Sequence, residues 1–108
     1  MRRARILVHG DPAAVLEETA ARTRYRLTYL DHYDGQPVSL TLPVRTEPYT
    51  FTRFPAFFDG LLPEGPQLEG LLRIRKIDRQ DLFAQLVAVG ADVVGCVTIE
   101  ALDDGEHA

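Results

Sequence analysis

The side chains that could do chemistry in this sequence are few and scattered. His9, His32 and His107 stand far apart, and none has a Cys or His companion at the spacing of a metal site. Surface or turn positions are expected for all three. Cys96, the single cysteine, lies in the apolar run from Val93 to Ile99, where such a residue usually behaves as a small hydrophobe. A nucleophilic role would need a base nearby, and the sequence indicates none.

Phosphate chemistry fares no better. The chain contains no G-x-G-x-x-G loop, no G-K-[ST] cradle and no G-x-S-x-G elbow. Phe58-Asp59-Gly60 has the composition of a kinase D-F-G triplet in the wrong order, without an H-R-D loop or a metal-binding asparagine to accompany it. Glu64, held between Pro63 and Gly65, is the one carboxylate in an unusual setting. It lacks the second carboxylate that most hydrolytic schemes require. A structural role is expected, in accepting backbone hydrogen bonds or capping the helix of Leu68, with partner contact as the alternative. The expectation is therefore a protein that is not an enzyme, with no metal and no cofactor.

Composition sets the frame for these residues. At 108 residues and 45% hydrophobic, the chain suits one compact domain spanning 1–108. Roughly 65% of the unfolded surface can be buried at this length, enough for a core but not for a large enclosed active site. A formal charge of -4 argues against direct nucleic-acid binding, which needs a clustered basic surface. Arg2, Arg3 and Arg5 are read as solvated strand flanks, because Ile6 to Val8 is too short for the apolar region of a signal peptide. The lone cysteine, the lack of a secretory signal and the lack of a spanning apolar run fit a reducing cytoplasm and no membrane. The core is expected over about 4–101. The acidic tail, 102–108, reads as a frayed end or as an electrostatic guide toward a basic partner.

The elements that must position any site follow from hydrophobic period. Ile6 to Val8 reads as a strand ending at a Gly10-Asp11-Pro12 turn, followed by Ala13 to Glu18 as a strand or a short helix. Tyr25, Leu27 and Tyr29 alternate with Arg26 and Thr28, and Val38, Leu40 and Leu42 alternate with Ser39 and Thr41 as far as Pro43, so both segments read as strands. Phe54, Phe57, Phe58, Leu61 and Leu62 fall on one helical face until Pro63, Gly65 and Pro66 interrupt it, and Leu68, Leu71 and Leu72 restart the stripe. A further helix is expected with Asp78 as N-cap, Asp81 three residues on, a buried face of Leu82, Phe83, Leu86 and Val89, and Gly90 in the left-handed position beyond its end. Val93 to Ile99 closes the sheet. The fold class is α+β, with a mixed or antiparallel sheet of short strands packed against two to three helices.

Three ordered segments resemble the HipA N-terminal domain, which precedes the kinase core in HipA toxins. Pro37-Val38-Ser39-Leu40-Thr41-Leu42-Pro43 is similar to the family's P-L-S-L-S-L-P, and Phe57-Phe58-Asp59-Gly60-Leu61-Leu62-Pro63-Glu64-Gly65 to its F-F-x-N-L-L-P-E-G. Asp81 to Leu86 and Val89 to Val97 resemble its D-x-F-x-L-L and G-x-D-x-x-G-A-V stretches. Departures are Gly60 for a frequent asparagine, Ala91 for a polar residue and Cys96 for a smaller one. The similarity runs from about Tyr25 to Ile99.

The resemblance, not the residue chemistry, implies the partners. A domain of this kind without kinase residues looks like HipS, the antitoxin of three-gene HipBST systems, whose partners are a HipA-like serine/threonine kinase, HipT, and a DNA-binding HipB. The implied function is binding and inhibition of that kinase. The alternatives are an accessory lobe that supports kinase folding or activity, and an adaptor to the HipB-like repressor. Pro63, Glu64, Gly65, Pro66, Gln67 and Leu68 are the expected partner-binding residues, because a proline-framed loop enters a cleft at low entropic cost.

Overall fold

The computed structural model describes residues 2–91 and 96–102. Its elements run β1 (Arg2–Val8), β2 (Asp11–Ala20), β3 (Arg24–Tyr29), β4 (Tyr49–Phe51), α1 (Ala56–Asp59), α2 (Gly65–Arg75), α3 (Leu82–Val89) and β5 (Val97–Leu102). The five strands form one sheet in the order β4-β3-β2-β1-β5, antiparallel at every pairing. The α+β expectation holds, and the sheet is antiparallel rather than mixed.

The strands form because their buried residues alternate and come into register. Ile6 lies opposite both Ala14 and Ile99, and Leu16 lies between Ala4 and Leu27. These side chains, with Tyr25 and Tyr29, make one buried sheet face, over which Phe54, Phe58, Phe83 and Leu86 pack. The opposite face carries cross-strand ion pairs, Arg26 to Glu17 at 3.0 Å and Arg5 to Glu100 at 3.4 Å. Exposure keeps each of these to a few tenths of a kcal/mol, about 0.2–1.

Several local expectations are corrected. Ala13 to Glu18 takes the strand alternative of its reading, but the first turn is His9-Gly10, with Asp11 and Pro12 already inside β2. Both turn residues have positive φ, 51° and 83°, as a two-residue hairpin of the twist-matched kind demands. The face of Phe54, Phe57, Phe58, Leu61 and Leu62 does meet the core, but α1 is only four residues long. Pro55, which has no N–H to give, fixes its start, and the chain turns away after Gly60.

Helix α3 is capped by Asp81, whose carboxylate accepts the Ala84 N–H at 3.2 Å, and not by Asp78. Asp78 instead accepts the Gln80 N–H at 2.8 Å in the preceding turn. Gly90 has φ -56°, so no left-handed residue ends the helix there. The requirement for glycine is steric, because a Cβ there would meet the Ile99 carbonyl. β5 covers Val97–Leu102, later than the expected Val93 to Ile99, and residues 93–95 together with the acidic tail 103–108 lie outside the described residues.

Pro37 to Pro43 is the largest departure. It contributes only an isolated bridge between Ser39 and Leu42, with Val38 and Leu42 buried and Leu40 94% exposed. Buried Tyr29 explains why. Its hydroxyl accepts the Val38 N–H at 2.9 Å and donates to the Leu42 carbonyl, so one side chain satisfies backbone groups that a ladder would otherwise have to pair. The segment doubles back on itself, and β4 takes the place beside β3. Tyr29→Phe is expected to leave both backbone groups buried without a partner, costing about 2 kcal/mol in urea unfolding. Wild-type stability in that variant would show that the hydroxyl does not hold the segment.

Candidate partner-binding surface

The expected site residues are brought to one edge of the molecule, but they do not form a loop. Only Pro63 and Glu64 precede α2, while Gly65, Pro66, Gln67 and Leu68 are its first turn. Proline is favoured in a helix's first turn, where its missing N–H has no carbonyl partner to lose. Gly65 itself has φ +59°, a conformation that glycine adopts without the strain a Cβ would bring and that avoids the α region disfavoured before proline. Glu64 occupies the N-cap position in extended geometry, yet its side chain accepts no capping hydrogen bond, so its expected capping role is not realised.

Glu64, Gly65, Pro66 and Gln67 are exposed, and Leu68 is half-buried. Neither the Glu64 nor the Gln67 side chain has a hydrogen bond or ion pair among the described residues. The helix beneath them is anchored lightly. Leu72 is its one buried residue, Leu71 is half-buried, and Ile74 is 78% exposed. A doubly hydrogen-bonded ion pair from Arg79 to Glu69, at 2.5 and 2.7 Å, ties the helix to the segment that follows, though on an exposed surface.

The histidines and the cysteine sit elsewhere. His9 and His32 are on exposed turns with positive φ, as a turn reading predicts, and His107 lies outside the described residues. Both line an open depression of about 530 Å³ with Asp11, Tyr33 and Asp34. Among the described residues no three His, Cys, Asp or Glu side chains are placed to hold a metal ion. Cys96 is exposed and precedes β5, which corrects its reading as a core hydrophobe, and its carbonyl accepts the His9 N–H at 2.8 Å. No helix among the described residues is long and apolar enough to cross a membrane.

The strongest electrostatic feature is one the sequence reading missed. Arg2 is not a solvated flank. Its guanidinium binds Glu18 through two bonds of 2.8 and 2.7 Å and Asp81 through two more of 3.0 and 2.8 Å. It also lies 5.1 Å from the centre of the Phe83 ring. β1, β2 and the cap of α3 are thereby joined at one cation. The Arg2 bonds, partly opposed by burial, hold the Glu18 carboxyl below its ordinary range. At Asp81 burial pushes upward, but the Arg2 bonds and the Ala84 N–H outweigh it and the net direction is also down. This is architecture, since both carboxylates are occupied by Arg2 and by backbone N–H groups of Arg22 and Ala84.

Comparison with known proteins places this geometry. Residues 4–100 match the model of the family described as HipA N-terminal domain. A protein of uncharacterised function from Haemophilus influenzae is 29% identical over 101 residues, which make up 93% of this chain and 92% of that protein. Y4mE of Sinorhizobium fredii, designated a kinase, is 33% identical over 75 residues, 69% of this chain but 18% of its own length. A solved structure described as the N-terminal domain of HipA toxin shares the fold, with a TM-score of 0.73 at 24% identity and coverage of 96% of this chain and 95% of that one. With a family match over nearly its whole described length, the chain belongs to the HipA N-terminal domain family.

Proposed function

We propose that this protein is a non-catalytic subunit that binds and inhibits a HipA/HipT-like serine/threonine kinase in the cytoplasm, as the antitoxin of a three-part system containing a HipB-like DNA-binding protein. One observation carries the proposal. The stretch matched by this chain is 18% of the kinase-designated Y4mE but 92% of the Haemophilus influenzae relative. A domain found both within a long chain and nearly alone is suited to binding in trans the surface it covers in cis. Once the tether is gone, the loss of effective concentration has to be made up by the contact itself. Inhibition then requires preference for an inactive kinase conformation, because a ligand shifts a population only by its differential affinity.

The exposed edge from Pro63 to Leu68 is the proposed centre of that contact, stiffened by Pro63, Pro66 and the first turn of α2. Replacing its side chains together, Glu64→Arg, Gln67→Ala and Leu68→Ala, is expected to weaken kinase binding at least tenfold while the circular dichroism spectrum stays unchanged. Full affinity in this variant would move the interface elsewhere. The functional test is co-expression with a HipA-like kinase from the same genome. Restored growth supports inhibition. Unchanged toxicity despite stable co-purification overturns it, and stronger kinase activity in the complex would favour the accessory-lobe role instead.

A further inference from the structure

An interface of ordinary strength covers about 800 Å² and 20 to 30 residues on each side, more than the six residues from Pro63 to Leu68 supply. A second contact is needed, and the segment that failed to become a strand is built to provide it. Leu40 stands 94% exposed at the apex of a knuckle, while its neighbours two positions away, Val38 and Leu42, are buried in the core. The knuckle is locked from both sides. Tyr29 pins its two ends from within, the Leu42 N–H donates to the Ser39 carbonyl at 3.0 Å, and the Ser39 and Thr41 hydroxyls bond each other at 3.0 Å. The backbone carrying Leu40 is thus held in one place while its side chain stands out in solvent.

The surroundings define what it fits. Residues 35–44 contain no charged side chain, in a sequence that is 26% charged. Leu40 borders an open groove of about 630 Å³ that it lines together with Gln36, Pro37, Val38, Ser39 and Phe57. Phe57 belongs to α1, which leads directly through Leu61 and Leu62 to Pro63, so the groove joins the edge described above by continuous chain. An apolar side chain carried on a pre-ordered backbone spares the cost of ordering the segment on docking, and its transfer from water is favourable only into an apolar socket.

We infer that Leu40 is a preformed anchor that inserts into an uncharged apolar socket on the kinase, with Phe57 and Pro37 forming the rim of the same contact. The occupant is the kinase rather than a second copy, for two reasons. Phe57 on the groove leads by continuous chain to the proposed kinase-binding edge, and in Y4mE the matched stretch is only 18% of a kinase-designated chain, so the rest is available to cover the same face. The inference rests on the proposed function and deepens it by naming a second contact and its chemistry.

The experiment is calorimetric titration of a HipA-like kinase from the same genome with wild-type protein, Leu40→Asp and Leu40→Ala, with thermal unfolding of each variant alone. Full exposure predicts a Tm unchanged for both. Burial of an anchor at the centre of a contact predicts about a 30-fold weaker Kd for Leu40→Asp and a smaller loss for Leu40→Ala. Wild-type affinity in both variants overturns the anchor while leaving the kinase-binding function standing. Failure of the wild-type protein to bind overturns both together.

Discussion

Gly90→Ala is expected to lower stability by about 3 kcal/mol, a fall of roughly 15 °C in Tm for a domain of this size. A Cβ built on Gly90 would lie 2.2 Å from the Ile99 carbonyl oxygen and 2.9 Å from both its carbonyl carbon and its Cβ. None of these is the far end of a flexible side chain. Ile99 is fixed opposite Ile6 in the β1–β5 ladder, and its N–H donates back to the Gly90 carbonyl at 3.0 Å. Relief would require α3 to lift from β5 or the ladder to shift, and either movement opens the core around Leu86 and Ile99. Gly70→Ala supplies the contrast. Nothing lies within 4 Å of a Cβ there, so the substitution in α2 is expected to stabilise by about 0.5–1 kcal/mol through helix propensity alone. Equal effects at the two glycines would show that close approach to β5 is not what Gly90 provides.

Removing the cation from the Arg2 cluster is expected to cost nearly as much. Arg2→Met keeps most of the apolar stem but leaves Glu18, only 7% exposed, facing Asp81 with Arg22, 4.0 Å from Asp81 and itself half-exposed, as the remaining countercharge. Breaking a fully buried pair costs about 3–5 kcal/mol. Because 40% of the Arg2 side chain is exposed, solvent screening reduces the expected loss to about 2–3 kcal/mol at pH 7. The sign of the pH dependence follows from the direction of the shifts. Both carboxyls titrate lower in the folded protein than in the unfolded chain. Their contribution is therefore complete above the ordinary carboxylate range, about pH 4, and disappears as pH falls through the folded values. Denaturation of wild type and Arg2→Met at pH 7 and pH 3 is expected to show a gap that narrows at the lower pH. A gap of constant size would assign the effect to packing on Phe83.

The contrast between these two positions shows how much was legible in the sequence. Strand β3 and the buried face of α3 follow from period alone, since Tyr25, Leu27 and Tyr29 and then Phe83 and Leu86 point inward as their spacing requires. Gly90 was legible as a special glycine, but for the wrong reason. A φ value is local, whereas the Ile99 carbonyl that excludes a side chain belongs to the following strand, β5, which folds back against the end of α3. Arg2 carried no signal, because its two partners lie 16 and 79 residues away and nothing near Arg2 marks it off from Arg3 or Arg5.

Val38, Leu40 and Leu42 misled for a related reason. Period two identifies a half-buried strand only when the segment finds a ladder, and here Tyr29 satisfies Val38 and Leu42 in its place. Two of the three side chains still reach the core, while the middle one is thrown outward. On the partner-binding edge, the Pro63-Glu64-Gly65-Pro66 word announced a break, and the break is real. What it could not announce was that the following helix begins at once, so that four of the six residues form a first turn rather than a loop.

The central claim is that this domain binds a kinase and holds it inactive. Autophosphorylation of a purified HipA-like kinase from the same genome, followed with radiolabelled ATP while this protein is titrated in, tests that claim most directly. Activity is expected to fall with added protein and reach its floor near one equivalent of each binding site, with the Glu64, Gln67 and Leu68 triple variant needing a higher concentration for the same loss. Activity that stays constant or rises across the titration, with complex formation verified in the same samples, would contradict the account.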